Sequence, residues 1–340
     1  MNHLNLSRCA LSVCVAALLA GCAGSQETSS TIPGSGMTQS GPRPLSDFVR
    51  TGIAPNSGPL LSIGAVPARH HHKYPGLKDL YVTDEGFNTV EILANGTYKN
   101  VGSISNGISV PHGDFLDKKG NLYVANASNI TEYAPGGTSP SFTYSAGMTL
   151  PLGVSVDGAG NVYEIDYHGS SVNEYAQGVN AVLHSCPVSS PAGVAVDASG
   201  DVFVDAVSSS GLTNIIEFFG LTMRGHPPRC QFTTLGVTLL TGGGMVLDNN
   251  NDLVVCDQRI QTVDIIDPPY SSITRTLGSG YIDPYGVTLN KGNALAFVTD
   301  ASLNEVFVYD YRSNTLVTTL GSGNGLEFPN NAVDGPNAVP

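Results

Sequence analysis

The chain has no tryptophan, few charged residues and a shortage of positive charge. Only 13% of its 340 residues are charged, and 15 Lys and Arg stand against 28 Asp and Glu, for a formal net charge of −13. That balance disfavours nucleic acid and anionic lipid surfaces electrostatically, so no nucleic-acid partner is expected. The low charged fraction also excludes an acidic disordered tail. Six cysteines are present, but no Cys-x-x-Cys spacing occurs, which argues against a structural zinc site. Beyond the first 22 residues no stretch of ten or more residues reads as a helix.

Glycine, proline and short alternating apolar runs are abundant instead, with 40 Gly and 21 Pro. Pro-x-Gly, a short run and then Asp or Asn recurs as Pro111-His112-Gly113…Asp117, Pro151-Leu152-Gly153…Asp157, Pro191-Ala192-Gly193…Asp197 and Pro284-Tyr285-Gly286…Asn290. A degenerate copy runs Gly242-Gly243-Gly244…Asp248. A period of about 40 residues means a stack or ring of supersecondary units, none of which buries its apolar face alone.

Inside each unit the apolar period is two. After the Asp comes a turn such as Asp117-Lys118-Lys119-Gly120, then a run such as Leu122-Tyr123-Val124-Ala125 or Val162-Tyr163-Glu164-Ile165. Alternating β-branched and aromatic residues mark strands, and Asp with a following Gly marks the hairpin turn. A third strand follows, for example Ile130-Thr131-Glu132-Tyr133, and a fourth, less regular run leads to the next Pro-x-Gly. Four antiparallel strands per unit make a propeller blade, so the fold class is all-β. Residues 77–96 supply second and third strands without a first, whereas Pro329-Asn330-Asn331-Ala332-Val333-Asp334 supplies a first strand with nothing after it. Pairing the two ends closes a ring of six blades over residues 77–334, or 43 residues per blade. Closure removes the exposed edges of an open array.

The Pro-x-Gly-(apolar)-Asp, Gly-Asn-(apolar)-Tyr-Val-(small)-Asp/Asn and aromatic-ended third-strand segments resemble those of NHL-type and YVTN-type six-bladed propellers. The stretch from Leu253-Val254-Val255-Cys256-Asp257 to Asp334-Gly335-Pro336-Asn337 is similar to that of bacterial exported propellers, a resemblance that implies no particular activity.

The amino terminus carries an address. Arg8, the apolar stretch of residues 9–20 and Leu19-Ala20-Gly21-Cys22 compose a leader too short to span a bilayer. Small residues just before Cys22 resemble a bacterial lipobox, which implies residues 1–21 as a lipoprotein signal peptide and Cys22 as the lipidated mature terminus. Ordinary secretion with cleavage near Ala23 is the alternative. The resemblance implies an exported protein held at the cell envelope by its lipid, at the outer membrane in a Gram-negative host. Residues 22–60, rich in Gly, Ser, Thr and Pro, read as a flexible tether, and residues 61–340 as the propeller domain, a monomer. His70-His71-His72-Lys73 reads as a solvated loop that binds metal weakly at most.

Cys186, Cys230 and Cys256 remain after the leader and lipid site are set aside. An oxidising location permits a disulfide; Cys186 and Cys230, placed in irregular connections between blades, are the candidate pair, with three unpaired thiols as the alternative. Cys256 occupies the place of Ala125 and Thr83 in sister strands and reads as a small buried side chain.

Propellers bind ligands at a mouth of the central channel. One rim gathers the residues between Pro and Gly (His112, Leu152, Ala192, Gly243, Tyr285, Asn330) and those ending the second strands (Asp84, Asn126, Asp166, Ala206, Asp257, Asp300). The acids and Asn126 have a scaffold reading as turn caps. They also have a functional one, in which Tyr285, Asn330 and His112 from consecutive blades join Asp84, Asn126 and Asp166 in an arc that orients a polar ligand or holds a divalent cation. Glu164 stands where sister strands carry Val, so it faces a blade interface as a paired structural group or a raised-pKa acid. With His168 it is the catalytic candidate.

Two function classes follow. The first is a non-catalytic binding or scaffold propeller for an envelope protein, a glycan or a small molecule; a peptide or glycan binder using exposed third-strand tyrosines belongs with it. The second is a metal-dependent hydrolase or lyase resembling the six-bladed lactonases and streptogramin-type lyases, whose channels hold a divalent metal. No Glu occurs in the six Pro-x-Gly segments, a departure from that pattern. The balance favours binding.

Overall fold

A computed structural model of the chain describes residues 79–219 and 230–335. The leader, Cys22, the tether and His70–His72 lie outside the described residues.

Among those residues, twenty-four strands form six four-stranded antiparallel sheets, and a single 3-10 turn at Ser322–Asn324 is the only helical element. Each sheet is a blade whose innermost strand starts at the Pro-x-Gly segment. Numbered along the chain, the inner strands are Pro329–Asp334 (blade 1), Asp114–Leu116 (blade 2), Pro151–Val156 (blade 3), Val194–Val196 (blade 4), Gly242–Leu247 (blade 5) and Pro284–Leu289 (blade 6). Blade 1 is built from both ends of the chain, as the half-units require. Pro329–Asp334 pairs with Leu80–Asp84 in the register Leu80 to Asp334, Tyr81 to Val333 and Val82 to Ala332. Thr89–Ala94 and Lys99–Ile104 complete the sheet.

The alternating pattern buries both faces of each blade, because each blade has neighbours on two sides. Six separate apolar clusters fill the six seams. Tyr81, Val90 and Ile92 of blade 1 meet Leu122, Val124 and Tyr133 of blade 2, for example, and Val82 of blade 1 meets Phe297 and Val308 of blade 6. At the axis, where inner strands converge, side chains would collide. A Cβ on Gly113 would lie 2.8 Å from the Leu152 carbonyl oxygen, and one on Gly286 2.7 Å from that of Asn330. The repeated glycine is thus demanded by strand-to-strand approach. In return Gly113 N–H donates to Leu152 O of the next blade at 2.9 Å.

The third-strand tyrosines do not form a surface. Tyr133, Tyr175 and Tyr309 are buried, and their hydroxyls donate to the carbonyls of Asn106, Ala146 and Ser279. The expectation of an exposed tyrosine face is corrected: a residue at the end of a strand buried on both sides turns its ring into the seam. Cys186 and Cys230 form a disulfide with Cα atoms 5.3 Å apart, and Cys256 is a fully buried free thiol. Cys186 lies in the outermost strand of blade 3, Val182–Pro187, rather than in an irregular connection. Among the described residues no helix is long and apolar enough to cross a membrane.

Candidate functional site: the central channel

The inner strands enclose a cavity of about 380 Å³ along the axis. Its exposed lining lies at the hairpin-turn rim, with Lys118, Gly158, Ala198, Asn249 and Asn251 around the opening. Blades 6, 1 and 2 contribute Tyr285, Thr288, Asn330 and Asn331 together with Phe115 and Val287, and blades 3, 4 and 5 contribute Leu152, Val154, Val194 and Met245 together with Ser155, Asp157, Asp197 and Asp248. Polar and apolar groups therefore lie on every side of the wall.

The opposite rim, where Pro-x-Gly segments meet second-strand ends, is packed. His112, Leu152, Gly243 and Asn330 are buried there. Tyr285 of blade 6 packs against the cluster that holds Leu152 and Ala192 of blades 3 and 4, so its ring crosses the axis and fills this end. Burial raises its pKa, with the Glu85 and Asp283 carboxylates adding to the shift. Asn330 donates to the Pro111 carbonyl at 2.7 Å and to Glu85 at 3.2 Å. Of the arc drawn from sequence, the structure brings Tyr285 and Asn330 to the cavity wall and leaves His112, Asp84, Asn126 and Asp166 outside it.

The strand-end acids are saturated by backbone donors. Asp166 accepts from Thr149 N and Oγ1, Leu150 N and Gly169 N, all within 2.7–2.9 Å. Asp84 accepts from Phe87, Glu327 and Phe328 N–H groups; Asp257 and Asp300 each accept from four. Asn126 takes the Ser109 N–H at 3.0 Å and donates to Val124 O, Asn129 and Thr131. Each ties a second-strand end to the loop that enters its blade. In blade 4 the task moves one residue back, to Asp205, which accepts from Ala192 and Gly193 N–H groups at 2.6 and 2.8 Å, while Ala206 takes no part.

Other buried polar groups lack such partners. His112 is 7% exposed with both ring nitrogens unpartnered, and burial pulls its pKa down to about 4. Glu164 is fully buried; Asn173 donates to its Oε2 at 2.9 Å, while Oε1 has no partner. Burial pushes its pKa up to about 8, with the Asn173 bond opposing and Asp166 adding. It sits at a seam and not on the cavity wall. His168 is exposed beside Tyr167, so the two catalytic candidates occupy different surroundings. Asp283 and Gln258 are buried between blades 5 and 6 with unpartnered side-chain atoms, and burial together with Asp300 raises Asp283 to about 7.

Asp114 escaped the sequence reading. It follows Pro111-His112-Gly113 in the slot held by Val154, Val194, Met245, Val287 and Ala332 in the other blades. It is 3% exposed, and both carboxyl oxygens are closed off from the open space of the cavity. Burial drives its pKa well above the usual carboxylate range, with a hydrogen bond from the Asn331 side chain and one from its own backbone opposing the shift. The signal was present as an acid in an otherwise apolar repeat position. Among the described residues, no three His, Cys, Asp or Glu side chains converge to form a metal site.

No family model matches the chain, and no curated relative matches it in sequence. Solved structures do match in shape. A chain of the nidogen–laminin complex superposes with a TM-score of 0.61 at 17% identity, covering 75% of this chain and 97% of its own. A protein of unknown function from Bacteroides caccae gives a TM-score of 0.57 at 13% identity, with coverages of 75% and 97%. At these identities the likeness shows the six-bladed β-propeller fold alone.

Proposed function

We propose that this protein is an exported, lipid-anchored propeller that binds a small ligand in its central channel and performs no chemistry on it. The channel cavity carries the reading. A pocket of this size whose lining mixes aliphatic side chains with a few polar groups suits recognition of a small amphipathic molecule. The absence of catalysis is supported by the fate of the acids: those that recur in the blades are occupied by backbone N–H groups and serve as loop caps. The envelope address rests on Leu19-Ala20-Gly21-Cys22, with the lipid as the membrane partner.

Ala198→Trp tests the channel. Ala198 is an exposed turn residue at the opening, so an indole there obstructs entry without disturbing a seam. Ligands found by equilibrium dialysis against a panel of small amines, alcohols and carboxylates lose affinity about tenfold or more in the variant, the cost of losing roughly one good apolar contact surface. Unchanged affinity moves the site off the channel. Cys22→Ser tests the address: the protein then leaves the membrane fraction, and continued retention with normal processing refutes the lipid anchor.

A further inference from the structure

We infer that the channel's ligand is a neutral molecule carrying a carbonyl or ether oxygen on an apolar body, and that the Tyr285 hydroxyl is the donor that selects it. This deepens the channel-binding reading and rests on it.

Most of the buried tyrosine hydroxyls find a partner inside the protein. Those of Tyr133, Tyr175, Tyr270 and Tyr309 donate to backbone carbonyls, and those of Tyr144 and Tyr311 to carboxylates. Tyr285 does not. Its ring crosses the axis, yet its hydroxyl makes no hydrogen bond to a described residue, and among the described tyrosines it alone lines the cavity. The hydroxyl is not sealed either. Both Asp114 carboxyl oxygens and both His112 nitrogens are closed off, whereas the Tyr285 hydroxyl is not, and the residue stands half-buried in the cavity wall. An interior tyrosine normally pairs its O–H. A free phenol at the closed end of a cavity is an open valence presented to whatever enters.

The free group is a donor. Burial pushes the Tyr285 pKa up, and the Glu85 and Asp283 carboxylates add to the shift, so the phenol keeps its proton near neutral pH. The same two carboxylates disfavour an anionic acceptor beside it. A neutral oxygen remains, and a carbonyl or ether supplies one without bringing charge into the channel. Neighbouring side chains direct their donors at the protein: Asn330 at the Pro111 carbonyl and Glu85, Asn331 at the Asp114 carbonyl, Thr288 at that of Ala332. Selection at this end therefore falls to Tyr285. Ala192, Val196 and Val246, half-buried along the cavity, take the apolar body.

The test uses purified full-length protein and two probes of one shape, acetophenone and α-methylstyrene, in which a methylene group replaces the carbonyl oxygen. Equilibrium dialysis compares their binding to wild type and to Tyr285→Phe, which keeps the ring and removes only the hydroxyl. The variant binds acetophenone about fivefold more weakly, the worth of one neutral hydrogen bond, and α-methylstyrene as tightly as wild type does. Without a probe its urea midpoint is unchanged, since the hydroxyl bonds nothing in the protein. Benzoate, the anionic analogue, binds wild type more weakly than acetophenone. The inference is overturned if the substitution weakens both probes alike or neither, if the midpoint falls, or if benzoate binds the more tightly. The channel reading survives that result when Ala198→Trp still weakens both probes. If neither probe binds, the channel reading falls as well.

Discussion

Asp166 and Asp114 are the same residue type, both buried and both in neighbouring blades, and their surroundings are opposite. Asp166 accepts four hydrogen bonds and locks a loop to its blade. Asp114 has the Asn331 side chain as its one side-chain partner. The first stands where the repeat places an acid or amide in blade after blade, the second where the repeat places an aliphatic residue. An acid that obeys a repeat belongs to the scaffold. An acid that violates it is held at a cost.

The largest effect expected from this contrast is at Asp166. Asp166→Ala strands four donors and lowers unfolding free energy by about 2–4 kcal/mol, a large part of a typical margin of about 5–15. Urea unfolding measures it, and a loss below about 0.5 kcal/mol would show that water replaces the carboxylate and that the caps are dispensable. Asp114→Val has the opposite sign: replacing a buried acid by the sister blades' aliphatic residue raises stability by about 1 kcal/mol. Equal destabilisation by both substitutions breaks the contrast.

The third effect is a slope across pH and not a single change in stability. The folded pKa of Glu164, about 8, lies above its unfolded value, so the folded state binds this proton more tightly. Its contribution is full below about pH 4 and is lost as pH rises through about 8. Between about pH 5 and about pH 9 the wild type therefore loses more stability than Glu164→Gln, which has no proton to release. Parallel pH profiles would mean that Glu164 is hydrated and titrates as an ordinary surface acid.

The fold was legible because its signals are local and repeated. Pro-x-Gly, the Asp-to-Gly hairpins and period-two strands each answer a steric or hydrogen-bonding demand of one blade. Asp117 illustrates this: its Oδ1 accepts from Lys119 and Asn121 N–H groups while Gly120 takes a φ of 86°. Closure was legible because half-units at the two ends are complementary. The site was legible only in part. Tyr285 and Asn330 reach the cavity, but a six-fold pattern does not show that a ring from blade 6 crosses the axis to blades 3 and 4 and closes one end. Nor does it show that the cap in blade 4 shifts from Ala206 to Asp205. Such facts depend on which side chain is long enough to span the axis and on where a register slips. Asp114 was missed for a different reason: it lay inside a motif whose matching positions drew notice first.

The closing strand has a consequence for the order of events during synthesis. Thr83 Oγ1 donates to Asn331 O across a separation of 248 residues, and Gly335 N–H reaches Asp79 O at 3.1 Å. Blade 1 cannot be completed until Pro329–Asp334 has been made. Until then its second strand, Leu80–Asp84, lacks the partner that protects one edge. The seams among blades 2 to 6 can form first, whereas both seams of blade 1 wait for the closing strand.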